Sequence, residues 1–159
     1  MPALSFPHPE LTSIEGVPDF SSLQQMKRQL FANACAIHST RGDGTLGHAA
    51  LVLGAQEYNA VANAGLAAGA VAIQWVAPVH PGAAPVIPPG STQAQINAIR
   101  DHYYHDLKEI NTYNMVEASL KKQIIAAVDR GIICETYTNG QVQIGVGDYT
   151  FYVKNGWLV

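Results

Sequence analysis

Between Pro78 and Gly90 the chain carries five prolines in thirteen residues, at positions 78, 81, 85, 88 and 89. Proline fixes φ, lacks the amide donor and pushes its predecessor toward extended geometry, so this stretch can be neither a helix nor a central strand. It has to be an extended connection, either a linker or a strap laid across the surface. A second constraint lies at Ile37–Leu53, where a helical pattern breaks at Gly42, Gly44 and Gly47 and restarts as an apolar run. Glycine takes positive φ and lets another segment approach closely. The stretch therefore predicts a tight, specific turn with Gly42, Gly44, Gly47 and His48 as its structural residues.

Regular elements are read around these two features. Pro2, Pro7, Pro9 and Pro18 make residues 1–20 an extended arm, placed to lie along a neighbour. Asp19 or Ser21 caps a helix in which Leu23, Met26, Leu30, Phe31 and Ala34 recur at helical spacing through Ile37. Ala49–Leu53 is too short to assign to helix or strand. Ala55–Ala64 reads as a short helix stopped at Gly65. Ala67–Val76 stays open, because alanine favours helix while Val71, Ile73, Trp75 and Val76 have the alternation of a strand. Ser91 or Thr92 caps a long helix with Ile96, Ile99, Tyr103, Leu107 and Ile110 on one face. A second helical stretch carries Val116, Leu120, Ile124, Ile125 and Val128 and stops near Gly131, so the pair is one bent helix or a helical hairpin.

The tail changes period. Alternating residues surround Asn139-Gly140 and again Asn155-Gly156, the commonest two-residue hairpin turn. The expected fold class is thus mainly α with a C-terminal antiparallel β-hairpin unit (α+β). Its parts are an arm at 1–20, a helical part at 21–77, the strap at 78–90, a helical hairpin or bent helix at 91–131 and a β-hairpin tail at 132–159. A short ribbon with apolar residues on both faces is marginal alone, which makes Tyr149, Phe151, Val153, Trp157 and Val159 the candidate oligomer contacts.

Composition narrows the function classes. The 159 residues suit one domain with a real core. Charged residues make up only 13%, about half the usual share, which favours a surface shared with a partner or another copy. A net charge of −3 and a pI near 6.0 argue against nucleic-acid binding through a basic patch. Cys35 and Cys134 have no metal-type or redox-type spacing and read as buried small hydrophobes. No signal peptide is evident, and the longest apolar stretch, Ala60–Pro78, is interrupted by polar residues and glycines. The expected setting is cytoplasmic or within a particle, with no membrane partner.

Motifs that could carry chemistry are sparse. Arg41-Gly42-Asp43 spells a tripeptide read by adhesion receptors, but Asp-Gly is also a turn signal. His102 and His105 share a helix face with Asp101 and Asp106 beside them, and a metal would need His48 or His80 as a further ligand. Gly42-x-Gly44-x-x-Gly47 has dinucleotide spacing but follows a helix instead of a strand. No serine sits in a nucleophile elbow and no cysteine has a catalytic flank. No catalytic residue, metal ligand or cofactor is therefore assigned.

Several pieces, taken together, resemble Gag-like, capsid-type proteins of copia-type retroelements and related algal and oomycete proteins. They are Val17-Pro-Asp-Phe20, Leu30-Phe-Ala-Asn33-Ala34, Gly44-Thr-Leu-Gly47-His48-Ala-Ala-Leu51-Val52, Tyr58, Pro78-Val-His80-Pro81-Gly82 and the helix from Lys122 to Val128. The resemblance runs over about residues 15 to 130. It implies a helical protein that self-associates into a particle around nucleic acid, with His48 and the Pro78–Gly82 strap in structural roles. The chain departs from that pattern after about Val128, where β-type sequence replaces further helix and no Cys-rich zinc knuckle follows, so contact with nucleic acid stays open. The expected function is a non-enzymatic structural subunit that forms a homo-oligomer, particle or filament. The alternatives are a receptor-binding or fibre-tip trimeric module using Arg41–Asp43, and a metal-dependent enzyme using His102 and His105.

Overall fold

The computed structural model describes residues 4–128 in full and, beyond them, only the backbone of residues 135–138, 141–146, 149–154 and 157–158. The first helix, α1, spans Phe20–Ala36. Asp19 starts it with a capping box: its carboxylate accepts the Ser22 N–H at 2.7 Å, and the Ser22 hydroxyl accepts the Asp19 N–H at 3.0 Å. That backbone hydrogen bond from Ser22 is the main reason the Asp19 carboxyl titrates below its ordinary range.

The second helix, α2, spans Ala50–Asn63 and is broken by non-helical geometry at Gly54, φ 78° and ψ 164°. The apolar run that sequence could not assign is its first turn, and Gly54 bends it. The third, α3, runs through Gln93–Ala127 as one element of 35 residues, about 50 Å long. Thr92 and Gln95 form its capping box. No helix among the described residues is long and apolar enough to cross a membrane.

Two apolar clusters hold these elements together. In the first, Met26, Leu30 and Ala34 of α1 meet Leu51 of α2 and Val116, Leu120 and Ala127 of α3, and Leu11 and Ile14 of the N-terminal arm close it over. Leu4 and Phe6 pack against the same cluster. The arm therefore lies along its own chain. Its course is fixed where the Ile14 N–H donates to the Ala127 carbonyl at 2.8 Å, beside an isolated parallel bridge between Ile14 and Val128. The second cluster has Ala49, Ala50 and Tyr58 at its centre, with Phe31, Leu46, Leu53, Ile73 and Trp75 around them.

The fold class differs from the expected α+β arrangement. Residues 4–128 contain three helices, which make up 53% of them, and no strand. Asn-Gly turns and alternation signal local strand propensity, but an α+β domain also needs its sheet packed on the helices. Here the apolar arm occupies the groove of α1 and α3 that such a sheet would cover. Beyond the helical body, backbone segments Glu135–Thr138 (β1), Gln141–Val146 (β2), Tyr149–Lys154 (β3) and Trp157–Leu158 (β4) lie extended in the order β1-β2-β3-β4. The candidate contacts Tyr149, Phe151, Val153, Trp157 and Val159, and the two Asn-Gly turns, lie outside the residues whose side chains are described.

Candidate functional site

The densest polar chemistry lies under the glycine-rich turn between α1 and α2. Gly47, at φ +50°, sits so close to the end of α1 that a Cβ there would come within 2.5 Å of the Ile37 carbonyl, 2.7 Å of Cys35 and 2.9 Å of Ala34. The next amide, His48 N–H, donates to the Ala34 carbonyl at 2.9 Å. The turn thus satisfies a carbonyl that the end of a helix leaves open. Gly42, at φ +67°, lies against the Tyr58 ring, where a Cβ would come within 2.5 Å of the hydroxyl. The Tyr58 hydroxyl donates to the Arg41 carbonyl at 3.5 Å.

This path turns His48 inward until it is 3% exposed. Burial lowers its pKa from the ordinary value, with the carboxylate of Glu109 opposing the effect through its charge. Glu109, on α3, is also buried and accepts the Thr40 N–H at 3.3 Å. Tyr113, one turn further along α3, stacks at tilted angles on both His48 and Trp75, with ring centroids 6.2 and 6.1 Å away. Trp75 in turn meets Tyr58 at 6.2 Å. Burial raises the hydroxyl pKa of Tyr58 and of Tyr113.

The chain of rings joins the turn, α2, α3 and the segment after α2. Among the described residues, His48 Nε2, Arg41 Nε and Trp75 Nε1 are buried without a hydrogen-bond partner. His48 could accept a proton, but the two surface clefts described lie elsewhere. One, of about 590 Å3, runs between the arm and the C-terminal part of α3, and the other, of about 520 Å3, lies between Pro81–Pro85 and the face of α3 that carries His102, Tyr103 and Asp106. The arrangement around His48 works as an internal joint.

Other sequence candidates stand apart from it. His102 Nε2 lies 3.4 Å from Asp106 Oδ2, one turn along α3. His80 is occupied locally, its Nδ1 accepting the Gly82 N–H at 3.0 Å. Among the described residues no three His, Cys, Asp or Glu side chains are grouped to hold a metal. In the Arg41–Asp43 tripeptide the Asp43 carboxylate accepts the Thr45 hydroxyl at 2.8 Å and its N–H at 3.1 Å. The side-chain bond from Thr45 lowers the Asp43 pKa, and the Arg41 carbonyl accepts the Gly44 N–H at 3.2 Å.

Sequence reasoning missed four amide side chains that fix the irregular segments. Asn33, fully buried, holds the arm, together with Gln123, whose Nε2 donates to the carbonyls of His8 at 3.1 Å and Pro9 at 2.9 Å. Asn63 and Asn59, four apart on α2, hold the segment after it: Asn63 exchanges two hydrogen bonds with Ile73, and Asn59 accepts the Trp75 N–H at 2.7 Å. The available signal was a pair of asparagines at one-turn spacing in an otherwise alanine-rich helix. No family model matches the chain, and no curated protein or solved structure does.

Proposed function

We propose that this chain is a non-enzymatic structural subunit that associates with copies of itself, in the manner of the capsid-type proteins its sequence resembles. The polar side chains inside the body act as joints for its arm, turn and strap. The observation that carries the reading is the outer surface of the strap region: Val71, Val79 and Val86 are 90%, 75% and 90% exposed in a chain of only 13% charged residues. Exposed apolar side chains on a surface without charge suit burial against a partner. Solution mass by light scattering across a range of concentrations, with electron micrographs of the same fractions, tests it. Multiples of 17.0 kDa with a closed or repeating form are expected. A monomer at every concentration overturns it.

A further inference from the structure

Asn63 and Asn59 do more than hold the segment after α2. The Asn63 amide donates to the Ile73 carbonyl at 2.8 Å and accepts the Ile73 N–H at 2.7 Å. Asn59 accepts the Trp75 N–H at 2.7 Å. Two asparagines one helical turn apart thus stand in for a neighbouring strand. In an extended chain the N–H and C=O of one residue point the same way and those of the next point oppositely. The groups of Ile73 and Trp75 face α2, so those of Ala72, Gln74 and Val76 face away from it. These three residues are exposed, and among the described residues their backbone groups have no partner. The side chains from 72 to 76 alternate as well: Ile73 and Trp75 pack inward, while Ala72, Gln74 and Val76 are exposed.

Val71–Val76 is therefore an extended segment with the backbone groups of one edge satisfied and those of the other open. Natural edges are guarded by lysines, other charges or a proline within the strand. This one has none, and no charged residue occurs anywhere between Glu57 and Arg100. The same segment of a second copy is the matching occupant. It offers an open edge of the same length and carries no charge to repel when the two run antiparallel about a two-fold axis. We infer that the open edge of Val71–Val76 pairs with that of a second copy, joining two subunits through a two-stranded antiparallel ribbon. This inference rests on the self-association proposed above and names the surface that performs it.

The test compares the full chain with two variants by light scattering at matched concentrations. Gln74→Pro removes an outward donor while leaving the bonds of Ile73 and Trp75 to α2. The double variant Gln74→Lys/Val76→Lys leaves the backbone unchanged and sets like charges across the edge. Far-UV circular dichroism of each is expected to match the parent, since the substituted side chains face solvent. Both variants are expected to weaken dimerisation by roughly tenfold or more, because like charges opposite one another and a missing ladder donor each disfavour pairing. A parent oligomer whose mass neither variant lowers overturns the edge pairing and leaves self-association standing. A parent that is monomeric at all concentrations overturns both.

Discussion

Asn33 and His8 are joined at both ends of one amide: the Asn33 side chain accepts the His8 N–H at 2.8 Å and donates to the His8 carbonyl at 2.7 Å. A further donation to Gln123 Oε1 at 3.0 Å links the pair to α3. An arm with no regular structure thereby acquires a fixed register on two helices. Asn33→Ala deletes all three bonds and leaves the His8 N–H without a partner while its carbonyl keeps the bond from Gln123, which is expected to cost about 2–3 kcal/mol, since a buried group left unsatisfied is penalised beyond the bond itself. Urea denaturation reads the loss directly. A change within about 0.5 kcal/mol, the usual scatter of surface substitutions, would mean that the apolar contacts of Leu11 and Ile14 hold the arm unaided.

Two glycines separate backbone strain from close approach. Gly47 and Gly54 both have positive φ, at 50° and 78°. A Cβ at Gly54 would meet nothing within 4 Å, whereas one at Gly47 would run into three carbonyls at the end of α1. Gly54→Ala is expected to cost about 1 kcal/mol from conformation alone. Gly47→Ala adds displacement of backbone and loss of the His48 to Ala34 bond, for a total of about 3 kcal/mol or more. Thermal melts of the two variants should therefore differ clearly; equal shifts would show that the turn yields without resistance.

Readable features were those that depend on local chemistry. The starts of α1 and α3 were legible to within a pair of caps, Asp19 or Ser21 and Ser91 or Thr92, of which the fold uses Asp19 and Thr92, because a capping residue acts within three positions of itself. The glycine-rich turn was visible because three closely spaced glycines permit positive φ. Its partners were not: nothing near Gly42 in sequence indicates Tyr58, and nothing near His48 indicates Glu109 or Tyr113 on a helix some sixty residues later. The class was misjudged for a related reason. Alternation in the tail is a local signal, while the surface a sheet would need is decided by which distant segment covers α1 and α3, and the arm covers them. Asn59 and Asn63 were legible only as helix residues, since asparagine on a helix does not announce whether its amide meets water or another backbone.

His48 makes the joint sensitive to acid. Burial holds its pKa below the ordinary value, so the unfolded chain takes up a proton more readily than the folded one. The contribution of neutral His48 is fully present above the unfolded pKa, near 6.5. It is lost as pH falls from there through the depressed folded value, at up to about 1.4 kcal/mol per pH unit. Glu109 limits the effect, because its carboxylate favours the charged imidazole. The melting temperature is expected to drop between pH 7 and pH 5, and His48→Gln is expected to flatten that part of the curve whatever it costs in stability at pH 7. An identical slope in parent and variant would assign the acid sensitivity to other groups.

The hold of α2 on the segment after it can be read amide by amide. Asn63 donates to the Asn59 carbonyl at 2.6 Å as well as bonding Ile73, so Asn63→Ala frees both backbone groups of Ile73 while improving helix propensity by about 0.5 kcal/mol. These effects partly offset, and global stability is expected to fall by only about 1 kcal/mol. The local effect is larger, because the segment from Gly65 to Ser91 has few other attachments besides the packing of Ile73 and Trp75. Hydrogen exchange under dilute conditions should show the parent's Ile73 and Trp75 amides protected and those of Ala72, Gln74 and Val76 open, an alternation that one-sided attachment requires. Asn63→Ala should remove protection at Ile73 and make the segment around it the first site of proteolytic cleavage. Uniform protection across residues 72 to 76 of the dilute parent would mean that the outer edge is already covered within a single chain, and a partner's strand would then have no edge to join.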